Sequence, residues 1–191
     1  MQKKLSTTMK LNPLKIEDVR SCKLCAGLGT DHVPSEGEPL ADLMIVSDSP
    51  GFNEVRKGRP FVGAIGEMIN YMLDEAEIPR TDVYLTYTLK CKPPGNRMAL
   101  TGELSNCWKQ WLYGEIRAVS PLLILLLGGD THSSIIPAKF PFGHLVVARK
   151  KNLTFLSSYA PGYFMRRGKT EEFVNVGNKV KEMLEELRQD V

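Results

Sequence analysis

The chain lacks any apolar run that could cross a bilayer, which takes about 20 residues, and residues 1–10 lack the apolar stretch of a secretory signal. Both absences point to a cytosolic setting. There is no internal repeat and no low-complexity segment, which excludes solenoid and fibrous architectures. Charge of one sign is scarce: 25 Lys and Arg against 22 Asp and Glu leave a net +3. That balance permits a nucleic-acid face without arguing for one, because distribution matters more than total. Histidine is rare. His32, His132 and His144 show no metal-ligand spacing with one another or with the cysteines, so each reads as a surface or satisfied core residue. Cysteine is limited to four, and in a cytosolic setting four cysteines are metal ligands more often than disulfides.

What is present suits one α/β domain. A length of 191 residues with 42% hydrophobic content is enough for a sizeable core. Residues 1–12 read as a loose tail and 13–191 as the domain. A short helix is expected over 13–20. Residues 43–47 form an apolar run stopped by Asp48-Ser49-Pro50-Gly51, hence a buried strand ending in a turn. Ile65, Met68, Ile69, Met72, Leu73 and Ala76 fall at helical spacing within 63–77. Strands are expected at 83–89 and 122–127, with weaker candidates at 145–148 and 153–157. Leu104, Cys107, Trp108, Trp111, Leu112 and Ile116 share one helical face, so both tryptophans read as core. A short helix is expected after Gly129, and a closing helix from about Thr170, with Glu171 and Glu172 at its positive end. The alternation predicts a mostly parallel sheet with helices on both faces.

The four cysteines carry the sharpest signal. Cys22 and Cys25 form a C-x2-C pair, and Cys91 and Cys107 are separated by 15 residues. A structural zinc site usually offers two close pairs, whereas the spacings of an iron–sulfur cluster vary more widely. Cys107, on an apolar helix face, can also be a plain core residue. The spacing favours metal ligation over core packing.

Between the two pairs runs Gly58-Arg59-Pro60-Phe61-Val62-Gly63, and after Cys91 comes Lys92-Pro93-Pro94-Gly95-Asn96-Arg97. With Pro50, Gly51, Glu54, Lys90 and Leu127-Gly128, these segments make the chain similar to the iron–sulfur uracil-DNA glycosylases, usually called family 4. The resemblance spans Cys22 to Arg167. It implies the uracil-DNA glycosylase fold and a structural [4Fe-4S] cluster on Cys22, Cys25, Cys91 and Cys107. It implies Phe61 as the base-stacking residue, and Asp48 and Glu54 as water-holding carboxylates, although either can simply cap a loop or helix.

Several positions depart from the family pattern. Ser47-Asp48-Ser49-Pro50-Gly51 stands for G-E-A-P-G. Tyr87 replaces the asparagine that reads the uracil edge, which puts a large ring where a small base enters. Ala160 replaces the histidine that stabilises the anionic leaving base, and Val55 stands at an acidic position. Cleaving an N-glycosidic bond makes a cationic sugar and an anionic base, so loss of an anion-stabilising donor costs about a hundred- to a thousandfold in rate. Loss of the reading amide weakens discrimination of uracil from cytosine.

DNA contact needs only cations and backbone N–H groups. Candidates are Lys90, Lys92 and Arg97 on the Pro-Pro loop, Arg166, Arg167 and Lys169 after the second motif, and Arg149, Lys150 and Lys151, which read more readily as solvated surface. Phe164 and Met165 take the place of the wedge that unstacks the duplex in relatives. Three expectations follow. The first is a DNA-binding iron–sulfur protein of this superfamily with uracil excision weak or lost, working as a monomer, of bacterial, archaeal or viral origin; a non-catalytic replication-accessory protein partnering a DNA polymerase is an alternative to it. The other alternative is an active glycosylase for uracil or a modified pyrimidine.

Overall fold

Three strands are buried along almost their whole length, as strands covered by helices on both faces must be. They are β1 (Leu43–Ser47), β2 (Val83–Tyr87) and β3 (Leu123–Leu127). The computed structural model describes residues 19–25, 27–28, 31–136, 138–150 and 153–189. Val19 and Arg20 are helical. The rest of the helix expected over 13–20, and the tail at 1–12, lie outside the described residues.

After β1 come α1 (Phe52–Lys57) and α2 (Ala64–Glu75). After β2 come α3 (Thr101–Cys107), a π-helical turn (Trp108–Leu112) and α4 (Tyr113–Val119). After β3 come α5 (Gly129–Ile135), β4 (Val146–Lys150), β5 (Leu153–Ser158), α6 (Pro161–Arg167) and α7 (Thr170–Gln189). The sheet order is β2-β1-β3-β5-β4. Leu43 lies opposite both Val83 and Leu123, and β4 alone runs antiparallel, on β5. The mostly parallel sheet predicted from alternation is the one observed.

Side chains alternate across a strand, and the two faces bury different helices. Leu43, Ile45 and Leu125 pack with Ile69 and Met72 of α2 and Val176 of α7. Met44, Val46 and Leu126 pack with Leu112, Ile116 and Val119 on the other side. Each such aliphatic contributes about 1.5–3 kcal/mol by leaving water.

Two details differ from expectation. The strand expected over 83–89 ends at Tyr87. Thr88 and Leu89 still donate their N–H groups to the carbonyls of Ser47 (2.8 Å) and Asp48 (2.9 Å) while the chain turns toward Cys91. The continuous helix expected through 104–116 is widened by the π-helical turn that begins just after Cys107.

The outer edge of β2 is covered by the segment 31–36, through antiparallel bridges of Glu36 to Leu85 and of His32 to Cys91. Covering an edge removes unpaired backbone groups, and here it also ties the segment after Cys25 to the loop of Cys91. The parallel strands end together at Ser47, Tyr87, Leu127 and Ser158. The loops leaving that edge carry the candidate site, as is general for open α/β sheets. Among the described residues no helix is long and apolar enough to cross a membrane.

Candidate active site and four-cysteine pocket

The loop between α1 and α2 is held by a buried carboxylate. Glu54 Oε1 accepts the N–H groups of Val62 (2.9 Å) and Gly63 (2.8 Å), and Oε2 accepts that of Gly51 (3.1 Å). Both oxygens are engaged by backbone, and the side chain is buried. Glu54 thus organises this loop through three backbone donors, and it also lines the cavity described below.

The fixed loop presents Phe61 in the left-handed region, at φ 52°, a conformation that costs a non-glycine residue about 1–3 kcal/mol. Its N–H donates to Tyr87 Oη at 2.9 Å, and the two rings lie 4.7 Å apart. Gly66 of α2 makes this possible, since a Cβ there would sit 1.9 Å from the Phe61 carbonyl oxygen. Arg80 donates to the neighbouring Pro60 carbonyl at 3.0 Å, and Arg59 pairs with Glu36 at 2.6 Å.

Tyr87 corrects one expectation. Its ring does not close the site: it is buried against Phe61, and the cavity beside it remains open. That cavity, about 470 Å³, is lined by Asp48, Phe61, Tyr87, Ala160 and Arg166 together. Burial holds the Tyr87 hydroxyl protonated well above the usual phenol range, so it is an O–H donor as well as the acceptor for Phe61.

Asp48 stands at the end of β1. Thr131 donates its hydroxyl to the Asp48 carboxylate. Gly128 (φ 111°) packs so closely that a Cβ there would meet Asp48 Oδ2 at 3.0 Å. Burial pushes the Asp48 carboxyl above its ordinary range; the Thr131 bond opposes this, and the nearby Asp130 carboxylate adds to it. A desolvated carboxylate is a stronger base than one in water. A second cavity, of about 660 Å³, shares Asp48 and runs past Asp130 to Arg97 and Met98.

The candidate DNA contacts divide. Arg166 is exposed and is the cation among the residues lining the first cavity. Met165 is exposed, but Phe164 is fully buried, ringed by His144, Tyr159, Tyr163 and Phe173. Phe164 is therefore core packing under α6 and not a wedge. Arg97 is held by Glu103 at 2.6 and 2.9 Å, and Glu103 also caps Leu100 N–H at 2.7 Å, so its charge is already compensated. Lys92 is half-buried.

Lys90 is not a surface cation at all. It is 1% exposed, and its Nζ donates to Glu115 (2.7 Å), Ser35 (3.2 Å) and Thr86. Arg167 lies over the Tyr163 ring at 4.7 Å, and Lys169 pairs with Glu172. Arg149 is exposed on β4, while the side chain of Lys150 and the whole of Lys151 lie outside the described residues.

The four cysteines come together. Cys22, Cys25, Cys91 and Cys107 line one small pocket, and all four are free thiols. Burial, then the charge of Cys107 and of the C-x2-C pair, pushes the Cys91 thiol up to about 12; burial pushes Cys107 up to about 11. Four thiolates in so small a space repel one another unless a cationic centre joins them. Backbone N–H of Lys90 donates to Cys107 Sγ at 3.4 Å, and Asn106 Nδ2 to Cys25 Sγ at 3.8 Å. His32 also lines this pocket. His132 is a satisfied core residue, bonded to Ser157 (2.7 Å) and the Phe140 carbonyl (2.9 Å).

Sequence reasoning missed Asn53, which lines the first cavity, and Asp130 and Thr131, which act on Asp48. The available signal was Gly128-Gly129-Asp130-Thr131 directly after a buried strand, where α/β sheets place functional loops.

An open cavity lined by aromatic and carboxylate residues thus lies at the strand ends of an α/β domain that also gathers four free cysteines in one small pocket. A sequence profile of the uracil DNA glycosylase superfamily matches residues 34–188, and the chain belongs to that superfamily. It is 40% identical over 115 residues to the type-4 uracil-DNA glycosylase of Sulfurisphaera tokodaii, covering 59% of this chain and 52% of that protein. It is 33% identical over 135 residues to the type-4 uracil-DNA glycosylase of Thermotoga maritima, covering 70% of each. A 94-residue stretch is 30% identical to part of the DNA polymerase of Bacillus phage SP01, 49% of this chain and 10% of that protein. The match thus spans about half the length of the first of these relatives.

Proposed function

We propose that this protein is a DNA glycosylase that hydrolyses the N-glycosidic bond of uracil or a modified pyrimidine, in a base pocket rebuilt around Tyr87, Ala160 and Arg166. The observation that carries the reading is that Asp48, Phe61, Tyr87 and Arg166 line one open cavity. In this scheme the flipped base stacks on Phe61. The Tyr87 hydroxyl donates to a base carbonyl, which uracil presents at the edge where cytosine presents an amino group. Asp48 holds the attacking water and faces the cationic sugar. Arg166 takes over stabilisation of the anionic base that a histidine at position 160 would otherwise provide. Contact with the phosphate backbone is electrostatic and weakens steeply as salt rises.

We further infer that the cysteine pocket holds a structural [4Fe-4S] cluster. The donor set is four soft thiolates, and the pocket is also lined by Trp111, whose buried indole N–H has no protein partner. Among the described residues no three His, Cys, Asp or Glu side chains are grouped as ligands of a single ion; a cluster spreads its thiolates over several irons. When bound, the cluster supplies a rigid cross-link between the N-terminal segment and the loop of Cys91.

Single-turnover excision from oligonucleotides carrying uracil and several modified pyrimidines tests the function, read as alkali-labile abasic sites. Release of at least one base is expected. DNA binding with no base released from any substrate would overturn it and leave a second reading, a DNA-binding accessory of replication, which the partial likeness to a phage polymerase favours.

A further inference from the structure

Trp111 sits on the π-helical turn that follows Cys107 and is 7% exposed. Its Nε1 is the one buried side-chain nitrogen or oxygen among the described residues that has no hydrogen-bond partner. A buried N–H left unpaired costs about 1–3 kcal/mol, so an orphan of this kind marks a missing acceptor. Trp111 lines the pocket formed by the four cysteines. Neutral thiols are weak acceptors, but thiolates and cluster sulfides carry charge, and bonds to charged acceptors are the stronger ones. π-turns inserted in helices also recur at functional sites, and this one begins at the residue after a candidate ligand.

We propose that the Trp111 indole N–H donates a hydrogen bond to a sulfur of the iron–sulfur centre, either a cysteine thiolate or a bridging sulfide. The inference rests on the cluster reading of the pocket. Two N–H groups already approach cysteine sulfurs, from Lys90 to Cys107 and from Asn106 to Cys25, and Trp111 would supply a third. A donor to sulfur stabilises the reduced, more negative state over the oxidised one. Trp111 is thereby a tuning residue that sets the potential of the centre without ligating it.

The test uses the anaerobically purified full chain with its cluster loaded. Trp111→Phe removes the N–H and keeps an aromatic ring, while Trp108→Phe is the control, because Trp108 is only partly buried and packs with a different part of the core. Trp111→Phe is expected to make reduction harder by about tenfold in equilibrium constant, about 59 mV for a one-electron couple; Trp108→Phe is expected to leave it in place. If Trp111→Phe does not load iron, pulsed electron paramagnetic resonance on the unmodified protein decides. With the indole nitrogens labelled with 15N, the paramagnetic centre is expected to couple to one such nitrogen and its exchangeable proton. Brown, iron-loaded protein with no 15N coupling, or with an unshifted potential in a loaded Trp111→Phe variant, would overturn the inference alone. Protein that stays colourless and iron-free after anaerobic reconstitution would overturn the cluster reading beneath it.

Discussion

Tyr87 Oη accepts the backbone N–H of Phe61 at 2.9 Å while the two rings pack 4.7 Å apart. Tyr87 thus braces the Phe61 backbone and packs on its ring, and under the proposed function its hydroxyl proton is the one offered to the base. Tyr87→Phe retains the ring but strands a buried N–H, at a cost of about 1–3 kcal/mol. We expect a lower Tm together with a fall in single-turnover excision of at least about tenfold, since a donor to the base is lost as well. Unchanged excision with a lowered Tm would show that the hydroxyl serves the loop only.

Glu54 gives the complementary case. Three backbone donors converge on its two oxygens. Glutamine would set an amide NH2 against at least one of them. Glu54→Gln is expected to cost about 1–3 kcal/mol, roughly 2–12 °C in Tm for a chain of this size. Calorimetry checks it. An unaltered Tm with activity abolished would return Glu54 to the role of a water-holding carboxylate.

Asp48 sets the pH dependence. Its carboxyl is pushed up mainly by burial, so it is still partly protonated where a free aspartate is ionised. Excision needs the carboxylate and should rise with pH through a midpoint above the ordinary aspartate range. Asp130→Asn removes a negative neighbour and should move the midpoint down; Thr131→Val removes a donor to the carboxylate and should move it up. Stability runs the other way. The folded chain binds this proton more tightly than the unfolded chain, so the Asp48 contribution is present below the unfolded pKa and is lost as pH rises through the folded one. A midpoint that ignores both substitutions would remove Asp48 as the titrating base.

The cysteine pocket joins three separate segments of chain, so removing one ligand should be felt throughout the fold. Cys91→Ala is expected to bleach the visible absorbance, to lower the iron content from about four per chain, and to lower the Tm. A stoichiometric zinc content in colourless wild-type protein would reassign the pocket.

Much of this was legible in the chain. β1 falls at 43–47 as predicted, because an apolar run closed by Asp48-Ser49-Pro50-Gly51 leaves little freedom. α2 and α7 followed from helical spacing that their packing uses directly. Other residues acquire their surroundings only in the fold. Lys90 looks like a surface cation until Glu115, 25 residues on, is folded against it at 2.7 Å. Arg97 looks free until Glu103 turns back on α3. Phe164 was different, because a local signal was present: Pro161 at a helix start and Gly168 in the left-handed region at its end mark α6, and a helix of that length buries one face. The open cavity beside Tyr87 could not be read locally, since it depends on the ring lying against Phe61.

The replacement of the leaving-group donor yields the sharpest prediction. Ala160 is the N-cap residue of α6, and Arg166 lies on the last turn of the same helix, with its Nη1 3.3 Å from where a Cβ on Gly162 would stand. If Arg166 stabilises the departing anion, Arg166→Gln should lower the single-turnover rate on uracil by about a hundred- to a thousandfold while affinity for DNA changes little. The loss should be much smaller on 5-fluorouracil, whose anion needs less help. A phosphate contact behaves oppositely: affinity and its salt dependence fall, and the rate at saturation is kept. Ala160→His should raise the wild-type rate and rescue Arg166→Gln in part, because either group can serve the same developing charge. Tyr87→Asn in addition should not help, since it strips the acceptor from Phe61 N–H. A rate at saturation that is equal for Arg166→Gln and wild type would move Arg166 out of the chemistry and back to the DNA backbone.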